Sequence, residues 1–302
     1  MTTSATVPFG RVLTAMVTPM NADGSIDLAG GQRLAEFLIA NGNDGLIING
    51  TTGESPTTTD KENADLIRAV VDVLPAGTPI IAGVGTNDTA HTLRLAEDAQ
   101  KAGATGLLVV TPYYNKPPQA GLVAHFTKVA SSTDLPVMLY DIPGRSGIPI
   151  APETFAALAE HPQIVAVKDA KGDLASTAQV IEQTDLAYYS GDDANDLPLF
   201  AIGAVGVIGV STHVLGTQTA EMLEAFVSGD VAKAAALHRR LLPAYLAMNN
   251  ASMGTINVKA VLSMLGLPAG PVRLPLVDAT PEQRKALREV LTAAGVVFPN
   301  VR

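Results

Sequence analysis

Lys168 follows a short apolar run, Ile164-Val165-Ala166-Val167, and places a primary amine where that run ends. An apolar strand would carry such a lysine into a partly desolvated mouth, where burial disfavours the ammonium. The neutral amine can then attack a carbonyl and form a Schiff base. From position alone the competing reading is a lysine that snorkels to solvent or pairs with Asp169. Lys171, beside Gly172 and Asp173, reads as a solvated loop residue. In Asn49-Gly50-Thr51-Thr52-Gly53-Glu54-Ser55, two glycines bracket two hydroxyls. Backbone amides there could approach a ligand carboxylate while the hydroxyls relay protons, although Gly and Thr also make ordinary turns. Thr111-Pro112-Tyr113-Tyr114-Asn115-Lys116-Pro117 and Tyr140-Asp141-Ile142-Pro143-Gly144-Arg145-Ser146-Gly147 add phenols and a guanidinium. Phenols beside a cation serve as general acids or bases, and an Arg fork binds a carboxylate bidentately. In Ser190-Gly191-Asp192-Asp193 two carboxylates could hold a metal, but such a pair more often caps the next helix.

Composition narrows the chemistry. The 302 residues contain no Cys and no Trp, which excludes thiolate metal sites, disulfides and a cysteine nucleophile. His91, His125, His161, His213 and His238 stand far apart, with no pair at metal-ligand spacing. Gly53-Glu54-Ser55-Pro56-Thr57 misses the serine-hydrolase elbow at its last position. The formal charge of −9 argues against nucleic acid or an anionic membrane as main partner.

The elements that must position these residues are short apolar runs alternating with segments of helical period. Strand candidates are 12–17, 45–48, 79–84, 106–110, 136–140, 164–167, 186–189 and 205–210. The runs are almost continuously apolar, as strands covered on both faces should be. Thr59-Asp60-Lys61-Glu62 reads as a capping box opening an amphipathic helix, and Thr280-Pro281-Glu282-Gln283 as another. The fold class expected is α/β, a TIM (β/α)8 barrel over 1–229 followed by a small three-helix domain over 230–302. Its helices are expected at 231–248, 255–265 and 281–294. A doubly wound open sheet is the runner-up, but no G-x-G-x-x-G turn follows the first strand. No apolar run is long enough to span a bilayer, and the first ten residues lack a basic n-region, so a cytoplasmic location is expected.

In their order and spacing, the runs at 50–55, 111–117, 140–147, 167–170 and 190–193 resemble the pyruvate-dependent class I lyases and synthases. Within them the likeness is to the dihydrodipicolinate (4-hydroxy-tetrahydrodipicolinate) synthases, and it extends over nearly the whole chain. The resemblance implies that Lys168 forms an imine with pyruvate, which attacks L-aspartate 4-semialdehyde on the route to lysine and diaminopimelate. It implies a proton relay of Tyr140, Thr51 and Tyr114, with Tyr114 reaching into a neighbouring subunit's site. It assigns the pyruvate carboxylate to Thr52, the semialdehyde carboxylate to Arg145, and part of the pyruvate pocket to the backbone of Ile208. A cytoplasmic homotetramer built as a dimer of dimers is implied, with no cofactor beyond the covalent imine and no metal.

Alternatives are a Schiff-base aldolase for a keto-deoxy sugar acid or N-acetylneuraminate, whose members usually lack an Arg at position 145, and a catalytically silent regulatory paralogue. Members inhibited by lysine carry histidines or acidic groups where this chain has Asp60, Asn63 and His91, whereas Asn87 and Tyr113 match. Weak or absent lysine inhibition is therefore expected.

Overall fold

A computed structural model of the chain describes residues 7–250 and 252–299. Residues 1–6, which carry most of the argument about a leader, lie outside it. Eight parallel strands close into a barrel in sequence order, which overturns the open-sheet alternative. They are β1 (Val12–Ala15), β2 (Gly45–Ile48), β3 (Ile80–Gly83), β4 (Gly106–Val110), β5 (Val137–Asp141), β6 (Ile164–Asp169), β7 (Ala187–Ser190) and β8 (Gly206–Gly209). Strand β1 pairs with both β2 and β8, so no edge remains.

Every strand is apolar on both faces because each face meets its own core. Leu13, Ile47, Leu108, Met138, Tyr189 and Ile208 fill the barrel interior. The intervening residues, among them Leu46, Ile48, Leu107, Val109, Leu139 and Val167, pack outward against the helices. Tyr189 stretches across the interior until its hydroxyl accepts the Phe9 N–H at 3.2 Å. Its ring occupies the space a side chain at position 206 would need: a Cβ on Gly206 would lie 2.8 Å from it. Both expected capping boxes form, Thr59 with Glu62 and Thr280 with Gln283. Helices Val231–Asn250, Gly254–Met264 and Pro281–Ala293 follow the barrel, and their Leu241, Tyr245, Val258, Leu262 and Leu287 join the outer core of the barrel itself. Among the described residues no helix is long and apolar enough to cross a membrane.

One irregularity decides which way Lys168 points. Val137 pairs with Ile164 but Met138 pairs with Ala166, so β6 carries one extra residue, Val165. Ile164 faces the outer core, and strict alternation from there would turn position 168 outward as well. The bulge resets the alternation: Ala166 enters the interior, Val167 faces out, and Lys168 lies between Tyr140 of β5 and Tyr189 of β7 on the inner side.

Candidate active site

The sheet continues past the apolar run of β6, taking in Lys168 and Asp169, because Tyr140-Asp141 and Tyr189-Ser190 pair with them on either side. Lys168 is therefore held by a strand rather than a loop, and it is only 5% exposed. Its Nζ lies 4.5 Å from the centroid of the Tyr140 ring. Gly191 makes room for the stem, since a Cβ there would sit 2.9 Å from both Cγ and Cε of Lys168. Burial pulls the amine down to about 8, opposed by the Asp193 carboxylate and assisted by the Arg145 cation. With that value roughly a tenth of the amine is neutral at pH 7. Tyr140 is pushed up to about 12, first by burial, so its phenol keeps its proton at neutral pH.

Above the strands' carboxyl ends opens a cavity of about 640 Å³, lined by Thr51, Tyr114, Tyr140 and Arg145 together with Tyr113 and Asn49. Four of the seven residues singled out from sequence thus share one wall-to-wall space. Lys168, Thr52 and Ile208 are not among its lining residues: Lys168 lies against the ring of Tyr140, Ile208 is in the barrel interior on β8, and the Thr52 carbonyl accepts the Thr255 hydroxyl.

Local chemistry shapes the loops. Asn49 ends β2 in a left-handed conformation (φ 59°), and its buried amide donates to Asn63 O at 3.0 Å, tying the Thr51-Thr52 turn to helix Asp60–Val71. Among the described residues neither the Thr51 nor the Thr52 N–H donates to a protein acceptor. Two adjacent free amides make a ready cradle for a carboxylate. Tyr114 adopts φ 73°, where a bulky side chain is strained by about 1–3 kcal/mol. It projects with 89% exposure. Arg145 lies on a single helical turn, Pro143–Ser146, closed by Gly147 at φ 84°.

Asp192 and Asp193 divide the capping expectation between them. Asp192 accepts the Ala194 N–H and caps the turn Asp193–Asn195. Asp193 is buried instead and accepts from the Val210 N–H, the Ser211 N–H and hydroxyl, and Asn249 Nδ2, fixing the chain just beyond β8. Lys171 corrects the expectation of a solvated residue: its side chain is 8% exposed, with Nζ 3.9 Å from Asp141 Oδ2 and resting over Phe155. His213, fully buried and drawn down to about 4 by burial, accepts the Val17 N–H through Nε2 and braces the ends of β1 and β8. Among the described residues no three His, Asp or Glu side chains group as a metal ion would require.

The long-range partners of the Thr51-Thr52 loop leave no signature in the loop's own residues. Glu54 pairs with Lys259, and Arg273 reaches Glu54 and Glu62 from the far end of the chain. Lys259 interrupting an apolar helix was the available signal.

Residues 8–294 match the model of the Dihydrodipicolinate synthetase family. The chain is 64% identical to the 4-hydroxy-tetrahydrodipicolinate synthase of Acidothermus cellulolyticus, over 98% of this chain and 96% of that protein. It is 56% identical to 4-hydroxy-tetrahydrodipicolinate synthase 2 of Streptomyces coelicolor, over 98% of each. A crystal structure of the enzyme from Cyanidioschyzon merolae with lysine bound superposes with a TM-score of 0.93 at 44% identity, covering 96% of this chain and 99% of that one.

Proposed function

The chain belongs to the dihydrodipicolinate synthetase family, and we propose that it condenses pyruvate with L-aspartate 4-semialdehyde to give 4-hydroxy-tetrahydrodipicolinate, as a lyase of lysine and diaminopimelate synthesis. The observation that carries the reading is Lys168, a desolvated amine held against Tyr140 beneath a cavity that Arg145 and Thr51 also line.

The neutral Nζ attacks C2 of pyruvate, water leaves, and an iminium forms on Lys168. The iminium draws electrons from C3, which loses a proton to give an enamine. The enamine carbon bonds to the aldehyde carbon of the semialdehyde, and the new alkoxide takes a proton. The semialdehyde's own amine then attacks C2, closes the ring and expels Lys168. Tyr140, Thr51 and Tyr114 move the protons, the Thr52 amide holds the pyruvate carboxylate, and the Ile208 backbone borders the pyruvate pocket. No separate cofactor or metal takes part. The exposed, strained Tyr114 supports an assembly in which it serves a neighbouring subunit's site. The reading extends to a cytoplasmic homotetramer, a dimer of dimers.

Arg145 separates this reading from an aldolase acting on keto-deoxy sugar acids or N-acetylneuraminate. A small acceptor bearing a carboxylate calls for a fixed cation, whereas a polyhydroxylated sugar calls for neutral donors and acceptors. Arg145→Ala lowers semialdehyde turnover about ten- to hundred-fold, the worth of a charged hydrogen bond of about 1.5–3 kcal/mol, while imine formation with pyruvate stays near wild type. Equal loss of both, or turnover of the sugar acids in place of the semialdehyde, contradicts the assignment.

The same cavity runs on to Asp60, Asn63, Asn87 and His91, and His91 Nε2 lies 2.8 Å from Asp60 Oδ1. The Asp60 carboxylate and His91 ring are thus already engaged with each other. Initial rates titrated with lysine are expected to stay flat at low concentration. Strong inhibition there refutes the expectation without touching the catalytic reading.

A further inference from the structure

The loop carrying Thr51 and Thr52 is fastened to the helices that follow the barrel. Glu54, left-handed at φ 63°, places its buried carboxylate between two partners. Lys259 Nζ lies 2.5 Å from Oε1, with both side chains almost free of solvent, and Oε2 accepts the Arg273 N–H at 2.8 Å. Lys259 also donates to Pro271 O at 2.7 Å, and Arg273 Nη1 donates to Thr57 O at 2.7 Å. Closer to the chemistry, Thr255 Oγ1 donates to Thr52 O at 3.2 Å from the first turn of helix Gly254–Met264.

These contacts complete a pattern. Gly50 O accepts the Gly53 N–H and Thr51 O the Glu54 N–H. Thr52 O accepts Thr255, and Gly53 O accepts the Thr18 hydroxyl at 2.7 Å. With four successive carbonyls held, the intervening peptide planes cannot rotate, and the Thr51 and Thr52 amides stay aimed as a pair. The barrel's own residues supply every anchor except the one on Thr52 O and those on the Glu54 carboxylate.

We infer that Thr255, Glu54 and Lys259 form a positioning clamp through which the C-terminal helices hold the Thr51-Thr52 amides in register for the pyruvate carboxylate. The inference rests on the proposed role of Thr52. The clamp acts on capture of pyruvate and not on capture of the semialdehyde, because once the imine exists a covalent bond retains the first substrate.

Steady-state kinetics of Thr255→Val, Thr255→Ser and the double variant Glu54→Gln/Lys259→Met test this, with thermal melting alongside. For a two-substrate reaction through a covalent enzyme, kcat/KM for pyruvate reports the first half and kcat/KM for the semialdehyde the second. Thr255→Val, which removes one hydroxyl at nearly constant shape, lowers kcat/KM for pyruvate about three- to tenfold and leaves that for the semialdehyde unchanged. Thr255→Ser keeps the hydroxyl and restores the wild-type value. The double variant removes both buried charges together, so neither is stranded, and it shows the same selective loss. Should it fail to fold, Thr255→Val decides alone. Wild-type kcat/KM for pyruvate in Thr255→Val, or a loss shared equally by both substrates, overturns the clamp. A wild-type enzyme that does not turn over pyruvate and the semialdehyde refutes the functional reading instead.

Discussion

Lys168→Met lowers kcat/KM by about 10⁴- to 10⁶-fold and at the same time raises the melting temperature. The loss follows from removing the protein nucleophile of the proposed scheme, an effect of the size seen when a covalent catalyst is deleted. The gain follows from burial. The folded pKa of about 8 lies below the unfolded value near 10.5, so protonation favours the unfolded chain. That penalty is fully present below pH 8 and fades as pH rises toward the unfolded value. A Met of similar reach fills the same space without it, worth up to about 3 kcal/mol at neutral pH. Melting curves of the two proteins should therefore converge above about pH 10. In the wild type, imine formation should climb about tenfold per pH unit below 8 and level off above it, as the neutral amine accumulates. A variant that is no more stable, or a rate that ignores pH between 6 and 8, contradicts the desolvated-amine account.

Tyr140→Phe is expected to lower kcat about 10²- to 10⁴-fold, the span for a lost general acid or base, with little change in melting temperature. Phe keeps the ring that faces Lys168 Nζ and loses only the hydroxyl. Because burial holds that phenol up to about 12, it stays protonated across the working range and first acts as a donor. Its titration should leave no mark on the pH–rate profile below about pH 10. Activity within threefold of wild type would remove Tyr140 from the proton relay and shift that work to Thr51 or a water.

The eight strands were legible because each is buried on both faces, so apolar runs marked them directly; β2 and β4 match residue for residue. Both capping boxes were legible because a cap is satisfied within four residues. What escaped was set at longer range. Strand β6 outruns its apolar segment because Tyr140 and Tyr189, on other strands, pair with Lys168. The bulge at Val165 that turns Lys168 inward has no local signature in Ile164-Val165-Ala166-Val167. Lys171 looked solvated beside Gly172 and Asp173, yet the fold lays it over Phe155 and beside Asp141. Glu54 and Arg273 meet across 219 positions, a distance at which no spacing rule operates.

The proposed site residues divide the same way. Thr51, Tyr114, Tyr140 and Arg145 each stand just beyond or at a strand's carboxyl end, and closing the barrel is enough to gather them around one cavity. Thr52, proposed to hold the pyruvate carboxylate, depends on more, because the aim of its amide is set by the partners of the loop's carbonyls.

The proposed imine between Lys168 and pyruvate is measured directly by borohydride reduction of the protein in the presence of pyruvate followed by intact and peptide mass analysis. One reduced pyruvate per chain is expected, on the peptide containing Lys168 and on that residue. No adduct, or an adduct on Lys171, contradicts it.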